Sequence, residues 1–150
     1  MGGGAILVYG TSANVYNSTF TNNSVSIHGG AIYSTSGLIV YNSTFTNNSA
    51  PTDGGAIYNF APGTLIVKDS NFSNNTANEG GAIYTNNYAI TTIVNFNRFI
   101  RNTASSGNAI YSVGTVNATD NWWGTKNDIS DTLYDYWKNI NCGEIFSSGT

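Results

Sequence analysis

Residues 54–78 read GGAIYNFAPGTLIVKDSNFSNNTAN, and the punctuation of this stretch decides the fold. Gly54-Gly55 supplies a turn open to backbone angles that other residues avoid, and Ala56-Ile57-Tyr58 after it is a short strand with alternating faces. Ala61-Pro62-Gly63 turns the chain again, Leu65-Ile66-Val67 makes a second strand and Asp69-Ser70 bends it; Phe72 then anchors a third short segment before the bend at Asn74-Asn75. Three strands and three corners close one coil. No helical period runs through it.

The coil recurs on both sides of this stretch. The alanine of the Gly-Gly-Ala-Ile signature falls at Ala5, Ala31, Ala56, Ala82 and Ala109, at intervals of 26, 25, 26 and 27 residues. A second signature, Phe-x-x-Asn, begins at Phe20, Phe45, Phe72 and Phe99, at intervals of 25, 27 and 27. Periods of about 20–50 residues mark architectures in which no repeat buries its apolar face alone and each stacks on its neighbours. Parallel strands need a long crossover, and a coil supplies it by going round. Five coils, each rising by roughly 4.8 Å, make a rod on the order of 24 Å long.

Stacking turns equivalent positions into files. Ile6, Ile32, Ile57, Ile83 and Ile110 form one, Val15, Val40, Val67 and Val94 a second, and the four phenylalanines a third. All three are expected to point inward, where each buried side chain contributes about 1.5–3 kcal/mol. Asn23, Asn48, Asn75 and Asn102 close the second signature at one corner, and their amides are expected to form a ladder that stabilises the turn. Tyr33, Tyr58, Tyr84 and Tyr111 share a column next to the isoleucines, so alternation is expected to place them outside. An exposed tyrosine strip suits sugar rings or another protein and is the candidate ligand-binding surface; self-stacking along the strands is the plainer reading.

Composition narrows the function. Asn, Ser and Thr fill 57 of 150 positions, whereas charged residues make up 9%, so polarity is carried by amides and hydroxyls, as on a solenoid or adhesive surface. Before Asp120 the chain is neutral, with Lys68, Arg98 and Arg101 against Asp53, Asp69 and Glu79. Five bases in all are too few for a nucleic-acid footprint. Cys142 has no partner in the chain, and no Cys/His grouping offers a metal site, so no cofactor or metal is expected. No stretch resembles a signal peptide or a membrane span; export would use a signal outside this chain. The start at Met1-Gly2-Gly3-Gly4-Ala5, inside a signature, suggests part of a longer chain.

Gly-Gly-Ala-Ile alternating with Phe-x-x-Asn over nearly the whole chain resembles the repeats of polymorphic outer membrane proteins and of the adhesin-like proteins of methanogenic archaea. The first signature is intact at Gly3, Gly29, Gly54 and Gly80 and degraded at Gly107-Asn108-Ala109-Ile110. The resemblance implies an all-β fold, a right-handed parallel β-helix of the pectin-lyase-like kind, displayed at the cell surface and associated with adhesion. Asp120-Asn121-Trp122-Trp123-Gly124 is similar to the Asn-Trp-Trp-Gly segment that ends the helix in the archaeal proteins. No membrane β-barrel follows it, which favours an archaeal-like or secreted form over an autotransporter.

Three parts are expected: a repeat body over 1–124, a capping segment over 125–143 and a polar tail over 144–150. Ile129, Leu133, Tyr136, Trp137 and Ile140 are spaced for one face of a helix that would lie, with Trp122 and Trp123, over the last coil.

Chemistry is sparsely represented. His28, Asp53 and Glu79 precede successive glycine doublets and are the best catalytic candidates, since stacked carboxylates raise one another's pKa or share a cation. No nucleophile, base and orienting group appear as a set, and solvated loop residues are the plainer reading. Lys68, Arg98 and Arg101 could meet an acidic sugar, although the two arginines align with Asn71 and Asn74 on variable turns. Asn17, Asn22, Asn42, Asn47, Asn71, Asn74 and Asn117 satisfy the glycosylation triplet, which turn chemistry in an Asn-rich chain produces unaided. The reading that follows is a non-enzymatic surface adhesin module whose partner is a glycan or protein of a host or neighbouring cell. A fragment of a polysaccharide lyase or hydrolase and a structural spacer are the alternatives.

Overall fold

The computed structural model describes residues 2–60, 62–86 and 92–124, and the backbone of 133–135 and 140–141. The described residues form a parallel β-solenoid with three sheets. The first sheet stacks β1 (Ile6–Val8), β4 (Ile32–Ser34), β7 (Ile57–Phe60), β10 (Ile83–Asn86), β13 (Ile110–Ser112) and β15 (Leu133–Asp135). The second stacks β2 (Ala13–Tyr16), β5 (Leu38–Tyr41), β8 (Leu65–Lys68), β11 (Thr92–Asn95), β14 (Val116–Asn117) and β16 (Ile140–Asn141). The third stacks β3 (Thr19–Thr21), β6 (Thr44–Thr46), β9 (Asn71–Ser73) and β12 (Arg98–Ile100), with Trp122 bridged to Arg98 above them. Four turns therefore carry all three strands.

Register follows the signatures. Ile32 pairs with Ile6 and Ile57, Val40 with Val15 and Val67, and Phe45 with Phe20 and Phe72. These files make one continuous core in which Phe45, Phe72, Ile57 and Val67 are fully buried, while Ile6 in the first coil is only partly so. The phenylalanine rings stack 4.8–5.0 Å apart, and Trp123 adds a fifth ring 5.0 Å from Phe99. Between coils the ring separation equals the strand spacing, so one geometry satisfies both backbone pairing and aromatic contact.

The glycine doublets are imposed by the stack. Gly54 has φ +64°, in the left-handed region, and a Cβ on Gly55 would lie 2.1 Å from the Gly81 carbonyl oxygen of the next coil. Two other corners place Asn17, Asn42, Asp69, Phe96 and Asp120 in one file, and Asn22, Asn47, Asn74 and Arg101 in another, all at positive φ. Asn and Asp tolerate this backbone conformation, and turn geometry thereby accounts for five of the seven glycosylation triplets.

One polar file runs inside the solenoid without having been expected. Ser34, Asn59, Thr85 and Ser112 continue the position of Val8 and are fully buried. Each makes a hydrogen bond: Ser34 and Ser112 donate to the carbonyls of Ser36 and Gly114 (2.8 and 2.7 Å), Asn59 donates from Nδ2 to Ser36 of the coil below (3.4 Å) while its Oδ1 stays unpaired, and the Thr85 and Thr92 hydroxyls pair at 3.2 Å.

The expected C-terminal helix is corrected at the residues the structure describes. Leu133 pairs with Ile110 and Tyr134 with Tyr111, while Ile140 pairs with Val116, so these residues extend the first two sheets. Open strand edges on β13 and β14 offer a row of unmet hydrogen bonds, and that template outweighs a weak helical spacing. Ile129, Tyr136, Trp137 and the 144–150 tail lie outside the described residues. Among the described residues no helix is long and apolar enough to cross a membrane.

Candidate functional site

The residues just before the glycine doublets form a column on the outside of the first corner. Main-chain bridges join His28 to Asp53, Asp53 to Glu79 and Glu79 to Ser106. The amide of each doublet's first glycine donates to the carbonyl one coil above, from Gly29 to Asp53 and from Gly54 to Glu79, which locks the column in register.

His28 and Asp53 meet here. Nδ1 of His28 lies 2.9 Å from Oδ2 of Asp53 and 2.7 Å from Oγ1 of Thr52, and the imidazole ring stacks on Tyr58 at 4.6 Å. The two side chains are 25% and 18% exposed, so solvent reaches this pair. Burial pushes the Asp53 carboxyl above its usual range, against the pull of His28. Burial, and then the charge of Asp53, push Glu79 up as well. The arrangement can hold or release protons in the acid range. Among the described residues no group of three or more His, Cys, Asp or Glu side chains is gathered to hold a metal ion.

The tyrosines lie beside this column. Tyr33, Tyr58, Tyr84 and Tyr111 stand opposite the isoleucines, as alternation requires, yet they are only 5–9% exposed, which corrects the expected open strip. Their rings stack face to face at 5.0, 5.0 and 5.2 Å, so each flat face is covered by the next ring, and His28 covers part of Tyr58. Burial first, then neighbouring Tyr33 and Asp53, raise the Tyr58 hydroxyl far above its ordinary value; burial, Asp53 and the adjacent tyrosines do the same for Tyr84. The tyrosine file is an outer core with ring edges, not faces, toward solvent.

The asparagines of this corner bond to one another from coil to coil. Asn23 donates from Nδ2 to Oδ1 of Asn48 (2.8 Å), Asn48 to Asn75 (2.9 Å) and Asn75 to Asn102 (2.9 Å), and each main-chain N–H of the first three donates to the same oxygen at 3.0 Å. Nδ2 of Asn48, Asn75 and Asn102 also reaches the carbonyls of Phe20, Phe45 and Phe72 one coil below.

A second ladder escaped the sequence reading. The N–H of Ser18 donates to Oγ of Ser43, that of Ser43 to Oγ of Ser70, that of Ser70 to Oδ1 of Asn97 and that of Asn97 to Oδ1 of Asn121. Its signal was present: a Ser or Asn stands two residues before each core aromatic, from Ser18-Thr19-Phe20 to Asn121-Trp122-Trp123. Trp123 is thereby the fifth coil's equivalent of the phenylalanines. Trp122 points elsewhere, with the Arg98 guanidinium 4.8 Å from its ring centre. Arg98 lies on β12 and not on a turn; Arg101 occupies the left-handed corner.

Three segments, residues 17–35, 42–59 and 69–86, match the Chlamydia polymorphic membrane protein (Chlamydia_PMP) repeat. Each match runs across a Phe-x-x-Asn signature and the following Gly-Gly-Ala-Ile, so together they take in Asn23, Asn48 and Asn75 of the ladder and the His28–Asp53–Glu79 column. No curated protein and no solved structure matches the chain. With these matches falling on successive coils of one stack, the parallel β-solenoid is consistent with polymorphic-membrane-protein-type β-helix repeats.

Proposed function

We propose that the chain is a module of a cell-surface adhesin: a non-enzymatic, right-handed, pectin-lyase-like β-helix whose outer surface meets a glycan or protein of a host or neighbouring cell. The three matched repeats carry this reading, because the family they define is one of surface proteins. The molecule's physics supports it. Internal ladders hydrogen-bond the corners from coil to coil, and the outside offers amides and hydroxyls with little charge. The C-terminal strands and Trp123 would close the far end, and export would depend on a signal outside the chain.

A second reading rests on the His28–Asp53 pair and the raised Asp53 and Glu79 carboxyls, which suit acid–base work on a polysaccharide. One experiment separates the two. The full chain, immobilised, is offered cells and a glycan panel, and in parallel is incubated with acidic polysaccharides with and without calcium. Saturable binding without release of sugar ends supports the adhesin. Release that vanishes in Asp53→Ala, Glu79→Ala replaces it with the enzyme.

A further inference from the structure

Turn geometry accounts for the asparagine of five glycosylation triplets; the hydroxyl two places later is a separate matter, and the stack sorts the triplets by it. In the file of Asn22, Asn47 and Asn74 the later residue is Ser24, Ser49 and Thr76, joined by parallel bridges that continue to Thr103. Arg101 stands where asparagine would precede Thr103, so this hydroxyl column belongs to the stack and persists without the triplet. The file of Asn17 and Asn42 behaves in the opposite way. Thr19 and Thr44 follow these asparagines, whereas Asn71 follows Asp69, Arg98 follows Phe96 and Trp122 follows Asp120, all in one column of the third sheet. Asparagine and hydroxyl are present together in two coils and absent together in three.

The fold makes no use of these two threonines. They flank the buried Phe20 and Phe45 on the outer side of β3 and β6, and neither hydroxyl makes a hydrogen bond among the described residues. Elsewhere the hydroxyl is engaged: Ser73 of the Asn71 triplet pairs with Thr46 at 3.0 Å, and Thr119 of the Asn117 triplet accepts from Asn95 at 2.9 Å. Asn42 lies between two described coils and is exposed all the same, as is Asn17. Nδ2 of Asn42 donates to Oδ1 of Asn17 at 2.8 Å, and an N-linkage replaces one of two amide hydrogens, which leaves one for this bond.

We infer that Asn17 and Asn42 are N-glycosylation sites. The donor is a glycan linked to a polyprenyl phosphate or diphosphate. Nδ2 forms a bond to the anomeric carbon as the bond from that carbon to the phosphate oxygen breaks; the polyprenyl phosphate leaves with the electron pair, and the amide gives up one proton. The inference rests on the surface-module reading, because it requires the chain to be exported past such a donor.

The test is site-resolved mass spectrometry of the protein taken from its own cells, where the sugar donor is present. Peptides bearing sugar at Asn17 and Asn42 are expected in the wild type. The pair Thr19→Val, Thr44→Val keeps both asparagines and a branched side chain suited to the strands, removes only the two hydroxyls, and should abolish the sugar. The pair Thr19→Ser, Thr44→Ser keeps the hydroxyls and should keep the sugar. Bare Asn17 and Asn42 in the wild type, sugar that persists in the valine pair, or sugar lost from the serine pair as well would overturn the inference. A membrane-impermeant label applied to intact cells separates this failure from failure of the surface reading. A chain that is labelled but bare loses the modification and keeps its place at the surface. Sugar on a chain that the label never reaches does the reverse, and a chain both bare and unlabelled loses both.

Discussion

Two columns of this molecule share one backbone geometry and differ in everything else. At the phenylalanine corner the same residues return coil after coil, Phe20 to Phe99 with Asn23 to Asn102, while in the column before the glycine doublets each coil differs: His28, Asp53, Glu79, Ser106. The first column is buried, and each member is the binding partner of the next, so a residue is acceptable there only if it fits its own copy. The second is partly solvated and held by main-chain bridges that make no demand on the side chain. Uniformity marks where the stack constrains the sequence; variety marks where it is free to acquire chemistry.

The contrast can be attacked from its strong side first. Phe72→Ala opens a void inside a fully buried file and should cost about 3–5 kcal/mol, read as a lower urea midpoint. Asn75→Ala takes the Oδ1 acceptor from the Asn48 main-chain and side-chain N–H groups and the Nδ2 donor from the Phe45 carbonyl, while the main-chain N–H of residue 75 still serves the Asn102 oxygen; at about 1–3 kcal/mol for a buried group left unpaired, a loss approaching that of Phe72→Ala is expected. If Asn75→Ala unfolds at the wild-type midpoint, the ladder does not hold the corner. Phe96→Asn tests the same logic in the opposite direction. Phe96 sits at φ 59°, exposed, in a file otherwise filled by Asn and Asp, and the change should stabilise by about 1 kcal/mol.

The variable column gives the smallest effect and the one with a pH signature. Burial holds Asp53 and Glu79 above their ordinary values of 3.8 and 4.5, so in that window the folded chain binds more protons than the unfolded chain. Stability is therefore highest below the ordinary values and falls as pH rises through them to the raised folded values. Asp53→Asn should flatten that decline in a series of denaturation curves across the acid range, while leaving the core intact. A decline as steep as wild type would mean that Asp53 titrates as a free carboxyl.

Much of the architecture was legible because stacking writes it into the chain repeatedly. Ile57, Val67 and Phe72 each have copies at the same interval, and alternation assigned their side correctly. What escaped has a common cause: the missed features depend on what lies one coil away. Tyr58 was placed on the right face, but its coverage comes from Tyr33, Tyr84 and His28, which periodicity locates without revealing ring geometry. Asn59 and Thr85 carry no sequence mark of their place inside, where Asn59 bonds to Ser36 of the coil below and Thr85 to Thr92. Leu133-Tyr134 repeats the Ile-Tyr pair at a shortened interval without glycines, and only the open edge of β13 identifies it as strand.

The central claim is that equivalent side chains of successive coils lie directly over one another. The most direct measurement is the pattern of ring-to-ring nuclear Overhauser effects in a chain carrying labelled phenylalanine and tryptophan. The account predicts a linear chain of contacts, Phe20 to Phe45 to Phe72 to Phe99 to Trp123, with neighbours about 5 Å apart and no contact that skips a coil. Absence of the Phe45–Phe72 contact, or a direct contact between Phe20 and Phe72, would contradict it.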